Sequence, residues 1–181
     1  MLGSFRASTL TDPRFITVFA DAPLTAVTLT TSYADMCSNT VQISAGDTIE
    51  VEVFGTAFNN SGTTQTYRFQ LVVGGVSLEV IDGATIASSA TNRAPFVVRA
   101  VASVVSTSSN ICTIFMWRPG PVAQNTSTSS NAASQRWAWN TSATDITGSR
   151  TVALQTRTGA TGSNQTVYVH SFRISRIAER L

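Results

Sequence analysis

Residues 48–54 read TIEVEVF and residues 66–73 read TYRFQLVV. In the first, Ile49, Val51 and Val53 fall on one face of an extended chain, and Glu50, Glu52 and Phe54 on the other. In the second, Tyr67, Phe69, Leu71 and Val73 share a face. An apolar residue at every second position marks a strand with one face in a core. NNSG at 59–62 lies between the two runs and predicts a hairpin loop. Gly74-Gly75 predicts a two-residue turn into VSLEVI at 76–81, which an Asp82-Gly83 turn should end.

The same punctuation continues outward in both directions from about Thr25. RAPFVVRAVASVV at 93–105 is almost continuously apolar and predicts a strand covered on both faces, one of them by a neighbouring subunit. In ICTIFMW at 111–117, Ile111, Thr113, Phe115 and Trp117 share one face and Cys112, Ile114 and Met116 the other. Arg118-Pro119-Gly120-Pro121 ends that strand, because proline cannot donate to a ladder. A polar loop, VAQNTSTSSNAASQ at 122–135, leads to RWAWN at 136–140, a short strand with Trp137 and Trp139 side by side. TVALQTRT at 151–158 and TVYVHSFRI at 166–174 close the set, joined by GATGSNQ. Roughly eight to ten short strands at this spacing, with helical periodicity nearly absent, predict an all-β sandwich or barrel.

The first residues differ. Phe5, Phe15, Ile16, Val18 and Phe19 lie among Ser, Thr and Asp-Pro without sustained alternation, and the composition breaks near Pro23. Two readings fit: an edge strand after an irregular start, or an extended arm over 1–22 that docks on another chain and precedes a domain over 23–181. The arm's candidate partner-binding residues are Phe5, Arg6, Arg14, Phe15 and Phe19.

Composition narrows the chemistry. All twelve basic residues are Arg, since no lysine occurs. That removes the phosphate-reaching lysine of a P-loop, Schiff-base nucleophiles and lysine-donated isopeptide bonds. A net charge of +2 with 12% charged residues is too weak and dispersed for a phosphate-tracking surface, so no nucleic-acid partner is expected. No run reaches the roughly 18 apolar residues of a membrane span, so no membrane partner is expected. Low charge and 43% hydrophobic residues favour burial of faces between subunits, hence an oligomer. Cys37 and Cys112 give either one disulfide or a reduced pair of small core residues.

Catalytic and metal constellations are sparse. Glu50 and Glu52, with Cα atoms about 6.6 Å apart on one strand face, match a glycosidase spacing, but Arg68 on the next strand could neutralise them across the ladder. His170, the one histidine, shares a face with Tyr168 and Phe172 and reads as a packed or interface residue; no G-x-S-x-G elbow accompanies it. One His and two Cys cannot complete a zinc site in a single chain. Neither catalysis, nor a cofactor, nor a metal is therefore expected. Trp137 and Trp139 offer either a stacking platform for a glycan or a large apolar contact for a subunit.

The runs ISAGDTIEVEVFGTAFNNSGTTQTYRFQLVVGG, NRAPFVVRAVAS and ATDITGSRTVALQTRTGATGSNQTVYVHSFRI together resemble tailed-phage virion proteins of jelly-roll fold, over about residues 25–177. Capsid decoration (cement) proteins and head domains of appendages belong to that group. The resemblance implies a two-sheet antiparallel jelly-roll sandwich and a homotrimer. It further implies a virion location, on the capsid surface or an appendage. A decoration protein would bind the major capsid protein or another virion protein and stabilise the capsid between capsomers. The alternative within the same resemblance is a receptor- or glycan-binding head domain.

Overall fold

A computed structural model of the chain describes residues 15–20, 25–91, 93–118, 134–159 and 164–178. Those residues form eleven strands and no helix: β1 (Phe15–Ala20), β2 (Thr25–Thr28), β3 (Ala34–Ile43), β4 (Thr48–Asn59), β5 (Gln65–Val73), β6 (Val76–Ile86), β7 (Arg93–Ser106), β8 (Ser109–Arg118), β9 (Ser134–Ser142), β10 (Gly148–Thr158) and β11 (Gln165–Ile177). They make a two-sheet antiparallel jelly-roll sandwich. The larger sheet runs β1-β11-β4-β7-β8-β9, with β2 also paired to β11, and the smaller runs β3-β10-β5-β6.

Each sheet turns one apolar face inward. From the larger come Ile49, Val51, Val53, Phe96, Val98, Ile114, Met116 and Ile174, and from the smaller Val41, Tyr67, Phe69, Leu71, Val152 and Leu154, all buried in one core. Each fully buried side chain of this size contributes about 1.5–3 kcal/mol. Cys37 and Cys112 lie in that core as free thiols, so the reduced alternative holds. Burial pushes both thiols up from 9.0 to about 12. Neither should react with a thiol reagent at pH 8 in the folded protein, and both should react in denaturant. Because the unfolded thiols ionise first, this contribution to stability is complete below about pH 9 and is lost as pH rises towards 12. Chemical denaturation at pH 8 and pH 10.5 measures it.

Several local readings are corrected. NNSG does not join a hairpin, because β4 and β5 belong to different sheets. Two strands that each carry an apolar row bury both rows by facing one another across the core, and the loop is the crossing between layers. Asn59, itself buried, fixes it: Nδ2 donates to Thr63 O and Ile86 O, each at 2.8 Å, and Oδ1 accepts from Ser61 Oγ at 2.7 Å. The Tyr67 hydroxyl donates to Phe58 O at 2.9 Å, tying the layers at the same end. GATGSNQ is likewise a crossing, from β10 to β11. Gly74-Gly75 is the expected turn, both residues having φ near the left-handed region, at 59° and 83°. Asp82-Gly83 is not a turn; β6 runs through it, and a bulge sets two β6 residues against Tyr67.

Strand β7 alternates buried and partly exposed positions, so within one chain it is covered on one face only. Strand β11 holds a bulge at His170, between the pairs Val169↔Gly55 and Ser171↔Phe54. The bulge shifts the parity of the strand, so Val167 and Val169 face the core before it, and Phe172 and Ile174 after it. Phe172 thus lies on the opposite face from the one expected for it. The segment expected as an arm over 1–22 enters the sheet where it is described: β1 is an edge strand, with Phe15 opposite Ile177 and Phe19 opposite Arg173. Phe5, Arg6 and Arg14 lie outside the described residues, as do the side chains of Phe15 and Phe19.

Candidate functional site

The two outer faces of the sandwich differ in chemistry. On the smaller sheet a polar ladder crosses all four strands. Ser77 Oγ donates to Gln70 Oε1 (3.1 Å), Gln70 Nε2 to Gln155 Oε1 (2.6 Å), and Gln155 Nε2 to Asp35 Oδ1 (2.7 Å). Thr40 and Thr151 meet beside it. Val80, the register partner of Gln70, is an exposed apolar residue on this face.

The outer face of the larger sheet carries an apolar strip that crosses β4, β7, β8 and β9. Phe54 is 44% exposed, Ile111 44%, Phe115 36%, Trp117 38% and Trp139 61%. Register aligns them: Phe54 stands opposite Val97, Val97 opposite Trp117, and Thr113, next to Phe115 on that face, opposite Trp139. Trp137 stands opposite Phe115 in the ladder, and its side chain lies outside the described residues. The strip covers on the order of 300–400 Å², which is the size of the largest patch on a typical monomer and is often functional. All three tryptophans, Trp117, Trp137 and Trp139, stand on β8 and β9.

Beside the strip lies a charge cluster. Glu50, an outer-face residue only 9% exposed, accepts from Arg99 Nη2 on Oε2 at 3.0 Å and from Arg173 Nη2 on Oε1 at 2.7 Å. Glu52 lies 4.0 Å from Arg173. The expected screening of these glutamates by Arg68 does not occur, because β5 is in the other sheet; Arg68 pairs with Asp82 at 2.6 Å. Both carboxylate oxygens of Glu50 are thus taken by guanidiniums of its own chain.

His170 is half-buried on the same outer face. Its Nε2 lies 3.1 Å from Thr56 Oγ1 and its ring 5.4 Å from that of Phe54. Arg93 stacks on Tyr168 nearby, at 3.9 Å. Among the described residues no group of three or more His, Cys, Asp or Glu side chains is placed to hold a metal. An open groove of about 390 Å³ lies at one end of the sheet, lined by Gly46, Asp47, Ser103, Val105 and Ile177. Its buried carboxylate is already engaged: Asp47 Oδ2 accepts from Ser44 N at 2.6 Å and lies 3.6 Å from Arg176 Nε. The polar loop at 122–135 lies, up to residue 133, outside the described residues.

The aromatic half of this face was legible as alternation in 111–117 and in Trp137 and Trp139. Arg99 and Arg173 were not singled out, since only the strand order brings them to Glu50.

No protein-family model matches the chain, and no curated protein matches it. Solved structures resemble it in fold. Peanut lectin, solved with a nine-residue peptide, is 8% identical with a TM-score of 0.44, over 99% of this chain and 97% of the lectin. Lectin I-B4 of Griffonia simplicifolia, in its metal-free form, is 12% identical with a TM-score of 0.46, over 94% of this chain and 96% of the lectin. The likeness is that of an all-β sandwich and extends no further than fold.

Proposed function

We propose that this chain is a structural, non-catalytic virion protein that works by association, through the aromatic and aliphatic outer face of its larger sheet. The observation that carries the association surface is the strip of Phe54, Ile111, Phe115, Trp117 and Trp139, set against an opposite face crossed by a ladder of side-chain hydrogen bonds. The virion setting rests on the sequence resemblance to jelly-roll phage proteins. In that setting the chain decorates a capsid as a homo-oligomer. The segment before Phe15, with Phe5, Arg6 and Arg14, then serves as a tether to the major capsid protein.

A glycan platform is the second reading, favoured by the exposure of Trp139. Sugar sites pair a ring with polar groups fixed beside it. Here Trp139 has Thr113 and Phe115 has Arg99 as register partners, while Ile111 and Val101 lie diagonally beside them and extend the apolar strip.

Light scattering at micromolar concentration should give a multiple of 19.2 kDa. Trp139→Ser with Phe115→Ser should reduce it to one chain while leaving the melting temperature within a few degrees, because neither side chain is in the core. The tryptophan emission should move to the blue on assembly, since Trp117 and Trp139 are exposed on this face. Phage heads assembled without the protein should bind it and pellet with it. A monodisperse wild-type monomer whose emission responds to saccharides instead supports the glycan reading.

A further inference from the structure

We infer that the occupant of the outer face is a second copy of this chain, related by a two-fold axis that runs along the strands between β4 and β7. This rests on the reading of that face as the association surface. Hydrogen-bonded register sets Arg173, Glu52, Arg99 and Phe115 side by side on β11, β4, β7 and β8. The row reads cation, anion, cation, aromatic. Turned about that axis, it lies on itself with Glu52 over Arg99 of the second copy and Arg173 over Phe115 of the second copy. The first is an ion pair made twice and the second a cation–π contact made twice.

The flanking rows agree. Towards one end, Phe54 and Val97 are register partners and exchange places, apolar on apolar. Towards the other, the row Ile177, Thr48, Ser103, Ile111 sets Ile177 over Ile111 and Thr48 over Ser103. In the row between, Glu50 meets Val101 of the second copy, and its charge is already balanced by Arg99 and Arg173 of its own chain. Face-to-face packing of two sheets with strands nearly aligned is the common geometry of sandwiches.

Area selects the same occupant. The apolar strip offers on the order of 300–400 Å², whereas a stable interface takes about 800 Å² from each partner. The remainder must come from the charged half of the face, where Arg99 and Glu52 have side chains 51% and 42% exposed. An occupant must therefore carry both signs of charge at the spacing of one strand pair, next to an aromatic strip. This chain does so itself.

The test mixes two charge reversals, Glu52→Arg in one chain and Arg99→Glu in another. Alone, each places like charges opposite one another twice, and sedimentation should show self-association weakened at least tenfold. Mixed in equal amounts they should recover mixed dimers of near wild-type affinity, because Arg at 52 then faces Glu at 99 and Arg99 faces Glu52. Repair within one chain cannot explain that recovery, since neither chain carries both changes. Failure of the mixture to associate, or indifference of either single reversal, overturns the two-fold pairing. If the wild type nevertheless assembles and Trp139→Ser with Phe115→Ser dissolves it, or its mass is three times 19.2 kDa, the face still associates but by another symmetry. Should a reversal not fold, Phe54→Lys mixed with Val97→Glu asks the same question at the neighbouring row, with the same two outcomes.

Discussion

Val53→Asp is expected to abolish soluble folding. Val53 is fully buried on β4 between β7 and β11, opposite Val98 and Phe172 in register. A carboxylate there has no cation beside it among the described residues: Arg99 and Arg173 project from the other face to Glu50, and Arg176, register partner of Ile49 four residues along β4, is engaged by Gln42 O and Asp47. Such a charge is neutralised by protonation or exposed by unfolding, at a cost of several kcal/mol in either case. That is most of the 5–15 kcal/mol by which a domain is stable. Glu52→Asp, one residue away on the outer face, should be close to neutral. Soluble yield and far-ultraviolet circular dichroism of the two variants give the comparison; a well-folded Val53→Asp protein would reverse the facing of β4.

Gly55→Ala should destabilise the fold more than its single methyl group suggests. A Cβ at Gly55 would sit 2.7 Å from the main-chain oxygen of Tyr168 and 2.8 Å from Cζ of Phe96. Phe96 is packed against Phe69, with ring centroids 5.4 Å apart, and the Tyr168 oxygen belongs to the ladder between β4 and β11, just before the bulge at His170. Neither neighbour can withdraw as a flexible side chain would. Overpacking of this kind costs about 1–3 kcal/mol. Gly62→Ala is the contrasting control: it meets no atom within 4 Å, and its cost is that of a left-handed backbone with φ of 82°. Denaturant melts should show a larger drop in midpoint for Gly55→Ala, with a disturbed near-ultraviolet spectrum from the displaced Phe96 that Gly62→Ala lacks.

Alternation alone determined that 48–54, 66–73 and 111–117 are strands. In 111–117 both faces are largely apolar, and only the packing of the sheets turned Cys112, Ile114 and Met116 inward. In the other two, alternation also determined which residues face the core, because a period of two follows from backbone geometry within the strand. It determined the Gly74-Gly75 turn for the same reason, since glycine is what a backbone of positive φ requires. The absence of lysine and the scarcity of His and Cys limited the chemistry before any folding was considered. The local sequence read NNSG as a hairpin, whereas NNSG and GATGSNQ are both crossings between the sheets. Both arrangements bury the same apolar rows, and only the pairing energy of whole strands distinguishes them. His170 shows the limit most sharply. Val167 and Val169 occupy odd positions and Phe172 and Ile174 even ones, a change of parity visible in the sequence, yet its meaning as a bulge depends on the partner strand that sets Gly55 and Phe54 against three residues of β11. The interaction face is tertiary for the same reason. Glu50, Arg99 and Arg173 are far apart in the chain and meet because β4 lies between β7 and β11. The strand order, which is set by long-range packing, brings the charges together beside the aromatic strip.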